Sequence, residues 1–313
     1  MSEGAPHSVP PPGAEELSAA GVPAGGLVAG EPAQTDLPPV TATATRGKRF
    51  NDLIRNVGVL ALMIFGVFIA LIVGGTNGGI GIGAAAAGAV IGITLIIVFA
   101  IASSQAANDF FIAYAEQRGL VRIGEKGSLP PVTPLLRKGD RRYTEEIFNG
   151  LLPGGLSGSL ALYTYEETST DSKGNRDTTY YQFTVAVSQL PETAQYLSEL
   201  ALQRRSGFRF LDSAEDAFRT RQRVEVESEL ADKKFEIFTG KHDDMIKARR
   251  VFSPTFIVWL GEEAHEGVAF ELVAGAFVAN IKGHLKTAQK LDRFCEDAAV
   301  IARRLDEEAL ESA

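Results

Sequence analysis

From Asn56 to Asn108 the chain carries no ionisable residue, and this stretch holds two long apolar runs separated by Gly74-Gly75-Thr76-Asn77-Gly78-Gly79. Val57 to Val73 is 17 residues and Ile80 to Ala102 is 23. A helix that crosses a bilayer needs roughly 20 residues. The runs therefore predict a transmembrane hairpin, with spans at about 56–75 and 80–102.

Charge predicts the orientation. Arg46, Lys48, Arg49 and Arg55 precede the first run, basic residues follow the second, and the hairpin turn has no charge. Basic flanks stay inside, so the expected localisation is the cell membrane, with two spans and both termini cytoplasmic. A secretory signal is the poorer reading, because its basic region would stand at the very start. The net charge of −8 divides as −5 over 1–45, +3 over 46–55, −2 over 56–117, +5 over 118–142 and −9 beyond. Basic character thus lies beside the runs. Arg118, Arg122, Lys126, Arg137, Lys138, Arg141 and Arg142 become candidates for contact with lipid headgroups, or are topology signals alone. An acidic remainder gives no support to nucleic-acid binding.

The predicted organisation is a disordered Pro/Ala/Gly-rich tail (1–45), the hairpin (46–104), a juxtamembrane helix with a basic connector (105–134) and a cytoplasmic α+β domain (135–313). The tail holds eight of the 14 prolines and no Lys or Arg. Such a segment buries too little apolar surface to offset its ordering entropy. Small residues recur every fourth position at Gly66, Ala70 and Gly74 and again at Ala84, Gly88 and Gly92. Those faces would pack the two spans together, or join copies in a homo-oligomer.

In the main domain, alternation predicts strands at 160–165 and 180–187 as a hairpin with a polar tip, at 223–228 and 234–238, and at 268–273 and 276–281 around Ala274-Gly275. Helices are expected near 243–250, after Ser253 as N-cap with Pro254, and over 287–308. The fold class is α+β, a mainly antiparallel sheet with one face covered by helices. Cys295, the single cysteine, excludes an internal disulfide and falls on the apolar stripe of the last helix.

The stretch 105–305 resembles a family of uncharacterised two-pass membrane proteins of high-GC Gram-positive bacteria. The residues that carry the likeness are Ala115-Glu-Gln-Arg-Gly119-Leu120, Gly158-Ser-Leu-Ala-Leu-Tyr163-Thr-Tyr165, Tyr181-Gln-Phe183-Thr-Val185-Ala-Val187, Glu227-Ser228, Asp232-Lys-Lys-Phe235, Ser253-Pro254 and Trp259-Leu260. Ala231 stands where an aromatic is expected. The resemblance implies membrane attachment and a shared fold, with a cytoplasmic domain of unknown function and no assigned reaction.

Catalytic and cofactor motifs are sparse. Gly79-Ile-Gly81-Ile-Gly83-Ala84 opens an apolar run and lacks the strand and acid of a dinucleotide site. Asp171 to Asp177 fails as a calcium loop for want of the third-position ligand and terminal glutamate, and reads as a hairpin tip that could meet a protein. Glu262-Glu-Ala-His265 has the Glu-x-x-His spacing of di-metal bundles but occurs once. His242 with Asp243 and Asp244 could add ligands if it folded beside it. No cofactor, no catalytic residue and no firm metal site are expected, with His242, Glu262 and His265 the weak metal candidates. The function expected is a membrane-tethered module that binds a protein partner or senses the bilayer surface. The alternatives are an anchored enzyme with a site near His242, Glu262 and His265, and a small oligomeric channel.

Overall fold

The computed structural model describes residues 66–69, 72, 80–124, 127–170, 172–205 and 221–311. The Pro-rich tail, Ala70, Gly74 and Lys126 lie outside them.

The first helix, α1, is Ile80–Arg118, 39 residues. It belongs in large part to a compact unit of its own, Pro38–Glu116 with Lys286–Ala288. Within it Ala106, Phe110, Phe111, Tyr114 and Ala115 are buried while Ile112 is exposed, and the Phe110 and Tyr114 rings stack at 6.2 Å. Earlier in the helix Ile91, Ile93, Ile96, Ile97 and Ile101 are exposed. Among the described residues no helix is long and apolar enough to cross a membrane. That overturns the transmembrane hairpin and the two-span membrane localisation with cytoplasmic termini. The expectation came from an unbroken run without charge, and the first run supplies only residues 66–69 and 72 to the described helices. A Cβ built on Gly88 or Gly92 meets nothing within 4 Å among the described residues.

The second unit includes Gln117–Leu285 and Gln289–Ala313. Its strands are β1 (Val121–Gly124), β2 (Arg141–Leu152), β3 (Leu156–Thr170), β4 (Arg176–Gln189), β5 (Glu199–Arg204), β6 (Arg221–Arg223), β7 (Phe235–Gly240), β8 (Ala269–Val273) and β9 (Ala276–Lys282). They form one sheet in the order β1-β2-β3-β4-β9-β8-β5-β7-β6, and each of these pairings is antiparallel. The helices of this unit are α2 (Pro134–Arg137), α3 (Thr193–Tyr196), α4 (Glu229–Lys234), α5 (Met245–Val251), α6 (Pro254–Val258), running into a π-helical turn at Trp259–Glu263, and α7 (Ala288–Glu311).

The β3–β4 and β8–β9 hairpins stand where alternation placed them. Ser253 caps α6 by accepting the Phe256 N–H, as its position before Pro254 predicts. Three sheet members escape the sequence reading. β2 reads Arg-Arg-Tyr-Thr-Glu-Glu and carries a register shift between Thr144 and Glu146, so its period is broken. β5 reads Glu-Leu-Ala-Leu-Gln-Arg, a good helix sequence, yet it is clamped between β8 and β7. Neighbouring strands override propensity there. β1 begins the sheet at Val121, so the fold starts before the expected boundary near Leu135.

A single covered face was expected, and the centre of the sheet is buried on both. Seven consecutive residues, Phe183 to Gln189, are buried on β4. The alternation there is large against small, not inside against outside. Register partners Phe148, Leu160, Ala186, Ala279, Phe270, Leu202 and Ile237 form one row across seven strands, all buried. Phe252, which follows α5, stacks on Phe270 at 6.4 Å. α7 completes this side: Leu291, Phe294, Cys295, Ala298, Ile301 and Leu305 are buried, and Arg304 donates to the carbonyls of Val251 and Arg250. On the other face Tyr163, Tyr165, Phe183 and Val185 pack with Leu129, Val132, Leu135 and Leu136. The segment expected to be a bare connector is therefore part of the core.

One close approach tests this geometry. A Cβ on Gly158 would stand 2.2 Å from the Val187 carbonyl oxygen, a backbone atom of the paired strand. Gly158→Ala must force β3 from β4 and should cost about 1–3 kcal/mol by overpacking. A thermal melt of the variant that overlays the parent would show that the strands are not so tightly apposed.

Candidate functional site

The basic residues near the start of the sheet domain are largely committed to the protein. Arg118 forks onto Asp292 of α7, Nε to Oδ1 at 3.0 Å and Nη2 to Oδ2 at 2.5 Å. Arg122 does the same with Glu146 at 2.7 and 2.6 Å. Arg137 donates to the carbonyls of Pro131 and Val132, and Arg142 to that of Arg137. Lys138 is half-buried and Arg141 exposed. Paired guanidinium forks of this kind hold elements together, and here they close the sheet edge and the last helix.

The metal and enzyme candidates do not converge. Glu262 is exposed in the π-helical turn, and His265 lies beyond its end, so the two do not sit on successive turns of one helix. The main chain of His265 is used structurally: its N–H donates to Asp297 at 2.8 Å, and its carbonyl accepts from Arg204. Burial raises the Asp297 pKa, against the opposing pull of the His265 N–H and Arg293. His242 is exposed. Asp243 accepts from the N–H groups of Ser198, Glu199 and Gly240 at 3.0, 3.0 and 3.1 Å, and Asp244 caps α5 through Ile246. Both carboxylates are thus occupied by backbone donors. Among the described residues no group of three or more His, Cys, Asp or Glu could hold a metal ion. Cys295 is buried, and desolvation pushes its thiol well up, which keeps it from acting as a thiolate.

A relay that the sequence did not suggest is formed by Thr164, His284 and Glu145. His284 Nε2 lies 3.3 Å from the Thr164 hydroxyl and 3.2 Å from the Tyr163 carbonyl, and Nδ1 lies 3.4 Å from Glu145. The order hydroxyl, imidazole, carboxylate is that of a nucleophile triad. Thr164, however, is only 1% exposed, so no substrate carbonyl can reach its oxygen. The trio ties the segment after β9 to β2 and β3. No sequence signal joins these residues, which lie 19 and 120 positions apart along the chain.

An accessible concavity lies at the β6 end of the sheet. It is a cleft of about 920 Å³, walled on one side by Arg223 to Ser228 and on the other by Arg249, Phe252, Pro254, Ile257 and Val258, with Arg205 and Asp232 at its rim. Phe252 and Ile257 are buried and form an apolar floor, while Val258 is 45% exposed. Ser228 caps α4 by accepting the Ala231 N–H, which fixes the turn from the first wall into that helix. Charge is balanced in type but not in pairing. Arg205 is held by Glu236 and the Phe235 carbonyl, Arg223 faces Asp232 at 4.0 Å, and Arg249 has no side-chain partner among the described residues. Glu227, Ser228, Asp232 and Pro254, named in the sequence for their family likeness, all line this cleft. Ala231 is buried and is not among the lining residues. Set against models of known families, curated proteins and solved structures, the chain matches none.

Proposed function

We infer that the sheet domain is an interaction module that receives a protein segment in the cleft between Arg223–Ser228 and the α5–α6 pair. The observation that carries this reading is the cleft itself: a volume of about 920 Å³ with an apolar floor, an exposed Val258 and an Arg249 that has no side-chain partner among the described residues. Binding sites combine apolar area with a few directed polar groups in this way, commonly within about 300–1,000 Å³. The enzyme alternative has less support, since His242 and Glu262 point to solvent and His265 is engaged through its backbone.

Panning a random peptide library against the full chain tests the reading without assuming a sequence. Peptides should be enriched whose binding falls at least tenfold on Val258→Asp, a change at an exposed position that leaves the core untouched. Enrichment of peptides indifferent to Val258→Asp would place the interaction surface elsewhere and overturn the assignment.

A further inference from the structure

Residues 127–140 form a strap over the sheet face opposite α7. A backbone hydrogen bond pins it at each end: the Thr144 N–H donates to the Gly127 carbonyl at 2.9 Å, and the Asp140 N–H to the Glu166 carbonyl at 2.8 Å. Between those points Pro130, Pro131 and Pro134 have no N–H to give a strand. The N–H groups of Val132, Arg137 and Lys138 close within the strap, onto the carbonyls of Pro130, Thr133 and Leu135. Ser128, Pro131 and Arg137 are exposed, while Leu129, Val132, Leu135 and Leu136 are buried in one cluster with Tyr163, Ala201, Ala269 and Val278 of the sheet. The polar tie between the pins is at Leu135, whose N–H reaches both oxygens of Glu271 at 3.1 Å. The Tyr163 hydroxyl adds longer contacts, 3.5 and 3.4 Å from the Leu135 and Leu136 carbonyls.

We propose that this strap is latched by a proton: residues 129–137 lie shut over the sheet while the Glu271 carboxyl is protonated, and lift from it as that group ionises. Glu271 is fully buried between Ala201 and Val278, its partners on β5 and β9. An ionised carboxylate offers two oxygens with several lone pairs, and the strap brings it one backbone N–H and the nearby Thr133 hydroxyl. No cation is bonded to it among the described residues. Arg221 on β6 is paired with Glu199 on β5, and Glu236 on β7 is engaged by Gln203 and Arg205. Tyr163 on β3 stays neutral, since burial pushes its hydroxyl up. Glu199 adds to the cost of a charge at Glu271, Arg221 reduces it, and burial outweighs both, holding the carboxyl at about 7. Lifting the strap hydrates the carboxylate and leaves the β-ladders intact, because the strap supplies no rung between its pins. The closed form keeps a proton that the open form releases. Closure is therefore firmest below about 4.5 and weakens as pH climbs through about 7.

Amide hydrogen exchange of the full chain tests the latch, with protection factors followed from pH 5 to pH 8 at several low urea concentrations. The Leu135 amide should exchange through an opening smaller than unfolding, with protection at pH 7.5 about 100-fold or more below that of Val185 on β4 and little dependence on urea. Its protection should fall at least tenfold between pH 5 and pH 7.5 and then level off. In Glu271→Gln and Glu271→Met, neither of which can ionise, the same amide should hold a constant protection factor over that range. One protection factor and one urea slope shared by Leu135 and Val185 would mean that the strap opens only with the whole domain, and would overturn the proposal. A fall with pH that persists in both variants, or no fall in the parent, would remove Glu271 as the latch.

Discussion

Phe294→Ala should lower the unfolding free energy of the sheet domain by about 3–5 kcal/mol, the range for removing a buried aromatic ring. The side chain is fully buried on α7, in the stripe with Leu291, Cys295, Ala298 and Ile301. The turn between β2 and β3 lies directly against this helix: a Cβ on Gly154 would come within 2.8 Å of the Glu296 Cα and 2.9 Å of the Ala299 Cβ. A loss of this size is a large part of the roughly 5–15 kcal/mol that stabilises a domain. Urea unfolding of the two proteins measures it, and a midpoint shift worth less than about 1 kcal/mol would mean that α7 is peripheral to the fold.

Stability should fall as pH rises from about 4.5 to about 7, and Glu271→Gln should remove most of that slope. Glu271 is fully buried on β8, on the face covered by Leu135 and Leu136, and both its oxygens accept the Leu135 N–H at 3.1 Å. Burial pushes its pKa from 4.5 up to about 7; the nearby Thr133 hydroxyl, the Leu135 N–H and Arg221 oppose the rise, and Glu199 adds to it. The folded protein therefore keeps a proton that the unfolded chain has released. Between the two pKa values the native state binds more protons, so its stability is complete below about 4.5 and is lost as pH climbs through about 7. The span corresponds to about 3 kcal/mol. Asp297 and Asp306 are also raised by burial and tilt the curve in the same direction. The variant, not the slope of the parent, is thus the decisive measurement. Denaturation midpoints from pH 4.5 to 8 that run parallel in parent and variant would exclude Glu271 as the source.

The same residue shows why the site and the fold were unequally legible. Glu271 sits in a strand, Ala-Phe-Glu-Leu-Val, that alternation identifies at once. Nothing in those five letters says that its carboxylate lies beneath the start of α2, 136 positions earlier. β5 and β2 carry the opposite lesson. Their local sequences favour helix or lack a period, and they become strands because β8 and β7, or β1 and β3, supply hydrogen-bond partners on both sides.

By itself the sequence determined the β3–β4 and β8–β9 hairpins, the Ser253 cap, the long last helix and the burial of Cys295, because each depends on neighbours within a few residues or on one helical or strand period. Its uncharged run did not become a described helix fit to cross a membrane, since freedom from charge is a property of a segment read in isolation. The tertiary structure alone decided that the centre of the sheet is covered on both faces, that Arg118 and Arg122 are spent on Asp292 and Glu146, and that Arg223, Arg249 and Val258 meet in one cleft beside β6. Those outcomes join side chains far apart along the chain, and their energies come from desolvation and charge pairing that exist only once the sheet has closed.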